Sequence, residues 1–271
     1  MESNRADTVL RGIAIAALAL LLLVGIASPA GLLGQPVSGN SAAPANREPD
    51  ARSASDAATA AGYAFLLSSK EHDYPARWCA GTQLRYTIDF TQAGAAGLDP
   101  AEEVRRWQRA FSAWTEASLG QYTFVYEGEK QLSTVAEDDS FEVDVDSIDE
   151  DTIGITYVQD DDESQPYYAT AVRGRTAGNG GIQVVSRGTQ EGSALVGDKG
   201  FVMIDAEDAA TLAATGLRET LYIHESGHSL GLGHVEAAQS IMNGTLSNSR
   251  PDISEADRQG VRALSRMPCE R

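Results

Sequence analysis

The chain has 271 residues, of which 42% are hydrophobic and 22% charged, values typical of a globular protein rather than a disordered one. That length suffices for one domain with its own core plus targeting and linker segments. The formal net charge of −18 argues against a nucleic-acid partner, because such a surface repels phosphate groups.

The first 30 residues have the layout of a secretory signal. Two arginines, Arg5 and Arg11, precede an apolar run over 13–26, and small residues follow through Ala30. Apolar character then resumes, so the stretch 12–33 is also long enough to stay in the bilayer as an anchor. Both interpretations predict that the rest of the chain is exported, to be secreted or held at the outer face of the cell membrane.

The next segment, 31–62, is rich in Ala, Ser, Pro, Gly and Asn and predicts a flexible linker or a short pro-segment. A single folded domain is predicted over 63–271. Its first strand is expected at 84–90, where apolar and polar residues alternate.

A helix is predicted to begin at Pro100. Asp99 is placed to cap it, and Glu102 is placed to complete a capping box. An apolar stripe follows at spacings of three and four residues, which we interpret as core packing; it comprises Val104, Trp107, Phe111 and Trp114.

The remaining apolar runs are short and bounded by Gly or Asp, as strands are. They cover 122–126, 141–145, 153–158, 182–185 and 201–204. Several strands with one early and one later helix predict an α+β domain built on a twisted mixed β-sheet.

Acidic residues are dense between Glu137 and Glu163 and end in the run 160–163. Carboxylates clustered on loops are typical calcium ligands, but the spacing of an EF-hand is absent. A solvated acidic surface is the alternative, and the sequence identifies no individual Ca²⁺ ligands.

Residues 224–234 read His-Glu-Ser-Gly-His-Ser-Leu-Gly-Leu-Gly-His. On a helix, His224 and His228 lie one turn apart and project from the same face, as two ligands of one ion must. Gly231 can leave the helical conformation, so the chain can turn and bring His234 round as a third ligand. Three imidazoles leave a fourth position open for water, which is typical of catalytic Zn²⁺.

Glu225 adjoins the first ligand without being one, and its carboxylate is predicted to act as the general base. An HExxH sequence alone also arises by chance, and two histidines one turn apart can be a surface pair. Here three of the chain's 4 histidines fall within this one motif, which favours a catalytic zinc site.

The extended motif HExxHxxGxxH followed by a methionine resembles the metzincin signature. Met242 is similar to the methionine of the Met-turn, which forms an apolar floor under the metal. Over about 76–267 the chain resembles the matrixins and their bacterial relatives. The resemblance implies a metzincin-like catalytic domain with a zinc-binding helix, a Met-turn and a C-terminal helix, which Ser254 and Asp257 are expected to cap.

The sequence also departs from the matrixins of animals. Asn243 and Gly244 follow Met242 where those enzymes have Tyr-Pro, so the wall of their specificity pocket does not carry over. His72 is the one histidine outside the motif, so their second, structural zinc site cannot be built. Their prodomain with its inhibitory cysteine has no counterpart.

The two cysteines, Cys79 and Cys269, fit a single disulfide in an oxidising compartment. They lie before the first predicted strand and after the last predicted helix, two ends that a matrixin-like domain could bring together. The competing hypothesis is that Cys79 is a thiolate that blocks the zinc in a latent form.

These observations predict a zinc metalloendopeptidase that cuts extended segments of extracellular or cell-surface proteins. The main alternative is a surface or adhesion protein that keeps zinc without cutting, and a zinc hydrolase of non-peptide amides is a third. The sequence does not identify the substrate or the oligomeric state.

Overall fold

A computed structural model describes residues 57–68, 74–137, 140–159, 177–189, 192–246 and 252–269. The predicted signal or anchor, most of the predicted linker and the acidic run 160–163 lie outside these residues. None of the described helices combines the length and the apolar character needed to cross a bilayer.

The described helices are α1 (57–61), α2 (Pro100–Ala117), α3 (Ala206–Leu212), α4 (Leu217–Ser229) and α5 (Glu255–Arg266). The described strands are β1 (Ala64–Phe65), β2 (Tyr74–Arg77), β3 (Gln83–Asp89), β4 (Thr123–Glu129), β5 (Thr134–Glu137), β6 (Ser140–Val143), β7 (Thr152–Val158), β8 (Gly178–Thr189), β9 (Gly192–Asp205) and β10 (Leu232–Gly233). Single 3₁₀ turns occupy Val145–Ser147 and Ala213–Thr215.

The central sheet has the order β2-β9-β7-β3-β4. β2 and β7 pair with successive parts of one edge of β9, and β8 pairs with its opposite edge. β2, β7, β3 and β4 join it in parallel, whereas β8 runs antiparallel to β9. The predicted α+β fold with a mixed sheet is therefore confirmed. Among the described strands β8 lies at an edge of the sheet, and it packs against α4, so this strand and helix enclose the candidate site.

Helices α2 and α4 pack together, and the apolar stripe of α2 faces the core. Trp107, Phe111 and Trp114 are buried, and Val104 packs at the margin. The indole of Trp107 stacks on the ring of Tyr222 of α4, with centroids 4.3 Å apart. The stripe predicted as core therefore also holds α4 in place.

The ends of two predicted elements differ from expectation. Asp99 caps α2 by accepting the N–H of Glu102 at 2.8 Å, but the Glu102 carboxylate pairs with Arg106 and does not complete a capping box. The strand predicted over 141–145 ends at Val143. Asp144 interrupts it, because its carboxylate accepts the N–H of Asp146 and starts a 3₁₀ turn.

A disulfide joins Cys79 to Cys269, whose Cα atoms are 5.5 Å apart. It links the segment before β3 to the residues after α5, as the resemblance implied. Both sulfurs are bonded to each other, so the alternative in which Cys79 blocks the metal is wrong for this structure.

The N-terminal segment contacts the loop after α4. β1 pairs with β10 in antiparallel register, Phe65 opposite Leu232 and Ala64 opposite Gly233. The helical residues 57–61, which the sequence analysis assigns to the linker, include the buried Ala58. This segment therefore packs beside the residues that lead to His234.

Candidate metal centre

Helix α4 carries the first two candidate ligands. His224 and His228 lie one turn apart in its last two turns, and both are buried. The α-helix places residues four apart on one face, so local structure alone brings these rings together.

The third candidate ligand depends on a sharp turn at Gly231. This residue has a φ of 103°, and a Cβ added there would lie 2.5 Å from the carbonyl oxygen of Ala76. Only glycine combines that backbone angle with so close an approach. The turn leads into β10 and returns the chain, so that His234 faces the two helical histidines.

The three imidazoles converge through their Nε2 atoms. The His228–His234, His224–His228 and His224–His234 separations are 3.0, 3.1 and 3.2 Å. A tetrahedral zinc with bonds of about 2.0 Å would hold its nitrogen ligands about 3.3 Å apart. The arrangement is therefore close to that of a three-histidine zinc site.

Backbone carbonyls set the tautomer of two of these rings. His224 Nδ1 lies 2.7 Å from the carbonyl oxygen of Ile241, and His228 Nδ1 lies 2.7 Å from that of Leu232. Each Nδ1 must donate its proton to that oxygen, which leaves a lone pair on Nε2. Lone pairs facing each other repel, and a bound cation removes that repulsion, so the residues fit a metal ion.

Burial keeps the histidines neutral. It lowers the pKa of His224 to about 4 and that of His228 well below its usual value, and partial burial also lowers the pKa of His234, which is more exposed than the other two. A neutral imidazole is the form that binds a metal. At neutral pH the three side chains are therefore ready to act as ligands.

Glu225 lies beneath β8. Its carboxylate accepts a hydrogen bond from the N–H of Gly180, and burial raises its pKa to about 8. A Cβ on Gly178 would lie 2.8 Å from Glu225 Cγ, and one on Gly180 would overlap the Glu225 carbonyl oxygen. Glycines at these two positions let β8 approach the site closely, a role the sequence analysis did not assign to them.

Met242 packs beneath α4, at the position expected of the Met-turn. Its side chain is buried, and a Cβ on Gly227 would lie 2.5 Å from its sulfur and 2.8 Å from the Trp114 ring. The glycine between Glu225 and His228 therefore lets the methionine pack directly against α4.

The C-terminal helix holds the Met-turn. Asp257 of α5 accepts the Ser240 hydroxyl at 2.5 Å and the Ile241 N–H at 2.9 Å, and it forms the predicted capping box with Ser254. The carbonyl oxygen of the same Ile241 accepts the hydrogen bond from His224 Nδ1. Asp257 thus orients a candidate metal ligand, His224, through one residue, whereas its sequence context indicated capping alone.

The comparisons with known proteins agree with this geometry. The model of the matrixin peptidase family matches residues 77–265, well over half of the chain. The chain belongs to the matrixin family. Its histidine group can hold the catalytic zinc of that family, so the protein is a zinc metallopeptidase in general terms. A search of curated proteins finds no significant match.

The part of the matrixin chain that the structure describes contains one such group of metal-ligand side chains, His224, His228 and His234. His72 and the acidic run 160–163 lie outside that part. The suggestion of bound calcium stays a prediction.

Proposed function

We propose that this matrixin is an exported zinc endopeptidase that hydrolyses peptide bonds of extracellular or cell-surface proteins, with Glu225 as the general base. The observation that carries the proposal is the placement of Glu225. Its carboxylate adjoins the three-histidine group without belonging to it and is aimed by the Gly180 N–H. A site that held zinc only for structure would have no use for such a carboxylate.

His224, His228 and His234 would hold the metal, which when bound lowers the pKa of water and polarises the carbonyl of a substrate. Glu225 takes a proton from the attacking water and delivers it to the nitrogen of the leaving amine. Glu225 is buried under β8, which keeps bulk water from the carboxylate while it holds the proton between these steps.

Strand β8 supports the choice of an extended peptide as substrate. Among the described strands it pairs only with β9, so its other edge has backbone groups available for a further strand. The face of β8 lies against Glu225 at Gly178 and Gly180. A peptide paired to the other edge of this strand would therefore run close to the carboxylate that handles the proton.

The disulfide supports export, because such bonds persist in oxidising compartments. Whether the N-terminal segment is removed or retained as an anchor can be read from the mass of the exported protein and from its partition between membrane and medium. A chain found reduced in the cytosol would contradict the proposed location.

The test of the chemistry is Glu225→Gln, measured as zinc content by mass spectrometry and as cleavage of a peptide library. We expect zinc to be retained and cleavage to fall by about a thousandfold, since general-base catalysis contributes 10²–10⁴. Glu219→Gln is the matched control, because Glu219 lies on the same helix and pairs with Arg109 near the surface. Equal cleavage by wild type and Glu225→Gln would disprove the assignment, and a wild type that binds zinc but cuts nothing would favour the non-catalytic alternative.

A further inference from the structure

A buried carboxylate on α2 connects three elements of the core. Glu103 is fully buried, and its Oε1 accepts a hydrogen bond from Arg218 Nη1 at 2.6 Å. Its Oε2 accepts the hydroxyls of Tyr157, at 2.9 Å, and of Tyr222. Arg218 and Tyr222 belong to α4 and Tyr157 to β7, so one side chain joins both to α2.

Aromatic contacts enclose this network. Trp107 donates its indole N–H to the Tyr157 hydroxyl at 3.0 Å and stacks on Tyr222 with nearly parallel planes. Burial raises the pKa of both tyrosines well above their usual value, so both hydroxyls stay protonated and can donate. The charge of Glu103 is therefore met by Arg218, by the more distant Arg106 with its Nε 3.6 Å away, and by two fixed hydroxyl donors, the conditions under which a buried ion is tolerated.

Helix α4 needs such an anchor at its beginning. It starts after Gly216, a residue with a left-handed backbone conformation, and no side chain caps its first turn. Farther along, Trp114 donates to the Ile223 carbonyl at 2.9 Å, and Trp78 donates to the Ser229 carbonyl at 2.8 Å. The two indoles hold the middle and the end of α4, and Glu103 holds the beginning.

The anchored face of α4 is opposite the face that carries the candidate ligands. Arg218 and Tyr222 are four residues apart and share one side, while His224 follows Tyr222 by two residues, about 200° around the helix. His234 comes from outside α4. Any rotation or sliding of α4 would therefore move His224 and His228 together, away from His234.

We propose, building on the assignment of this matrixin as a zinc peptidase, that Glu103 is a positioning residue, which through Arg218 and Tyr222 fixes the rotation of α4 and so aligns His224, Glu225 and His228 with His234. Glu103 touches neither the histidines nor Glu225. Its effect passes through the rigid helix, and loosening it should alter the metal geometry and the chemical step while leaving substrate binding intact.

The test uses the full exported protein with two variants, Glu103→Gln and Tyr222→Phe. The second removes one hydroxyl and keeps the stack on Trp107, so it remains informative if Glu103→Gln fails to fold with Arg218 left unpaired. We expect each folded variant to release zinc to a chelator about tenfold faster and to show an altered visible spectrum with Co²⁺. We expect kcat to fall about tenfold to a hundredfold, as for a small misplacement of reacting groups, with KM within about twofold of wild type.

Asp89→Asn is the matched control. Asp89 is another buried carboxylate, on β3, and accepts the N–H groups of Thr91 and Leu132 at 2.8 Å each. We expect this variant to lose thermal stability while its zinc release, Co²⁺ spectrum and kcat match the wild type. If Glu103→Gln and Tyr222→Phe behave like this control, the network is merely structural and the inference is wrong.

Zinc release and the Co²⁺ spectrum need no turnover, so they separate this inference from the proposed function. A wild type that cuts no peptide, with variants that still release zinc faster, would refute the peptidase assignment and support the positioning role. If the wild type cuts peptides and the variants keep its zinc release, Co²⁺ spectrum and kcat, the peptidase assignment is supported and the positioning role is refuted.

Discussion

The candidate ligands of this matrixin are held in two different ways. His224 and His228 are set by the geometry of one helix, four residues apart. His234 reaches them only because a turn at Gly231 fits under the Ala76 carbonyl and because β1 pairs with β10 just before it. The comparison shows that a helical pair needs little beyond local sequence, whereas the third ligand depends on residues far along the chain.

The pair of candidate ligands on α4 is tested by His228→Ala. Removing one of three nitrogens leaves a two-nitrogen site, so we expect zinc affinity to fall more than a hundredfold and peptide cleavage to be lost. Metal analysis after exhaustive dialysis measures the first effect. Stoichiometric zinc retained by this variant would show that the ligand set is different.

Removing the disulfide separates global stability from the site. Cys79→Ser with Cys269→Ser should lower the free energy of unfolding by up to about 5 kcal/mol, because the bridge constrains a long loop of the unfolded chain. Below its unfolding temperature the variant should release zinc at the wild-type rate. Denaturant unfolding and chelator competition measure the two quantities, and a large change in release would mean that the bridge shapes the site directly.

The turn that places His234 is tested by Gly231→Ala. The new Cβ meets the backbone of Ala76, and alanine disfavours a φ of 103°, so we expect a loss of about 3 kcal/mol in stability together with faster zinc release. Gly216→Ala is the control. Gly216 has a φ of 77° with nothing within 4 Å of a Cβ, so it should cost only about 1 kcal/mol and spare the metal.

The support that Asp257 gives to His224 through Ile241 is tested by Asp257→Asn. An amide has a single acceptor oxygen, so it cannot accept both the Ser240 hydroxyl at the Oδ1 position and the Ile241 and Ser254 groups at the Oδ2 position, and stability should fall by about 2 kcal/mol. The Ile241 carbonyl should then hold His224 less well, and zinc release should rise slightly. Asp99→Asn, which keeps a helix cap, should change stability by only a few tenths of a kcal/mol.

Much of this matrixin was predictable because its strongest signals are local. The histidine spacing and the early helix follow from the period of the α-helix, and the two confirmed caps follow from the hydrogen bonds of Asp99 and Ser254 with nearby N–H groups. The predicted capping box at Glu102 failed because a charged partner one turn away competes for that carboxylate. Local sequence patterns therefore predicted the helices and their caps better than they predicted which side chains pair.

Only the tertiary structure decided what surrounds the histidines. Gly178 and Gly180 could not be recognised as the cover of Glu225, nor Glu103 as the partner of Arg218, because those pairs are far apart in sequence. Asp257 looked like a capping residue and also holds the Met-turn through Ile241. The sequence by itself determined that two candidate ligands share one helix face, since helical spacing places them there. The fold decided the tautomers, the burial and the position of the third candidate ligand, since those depend on contacts between distant segments.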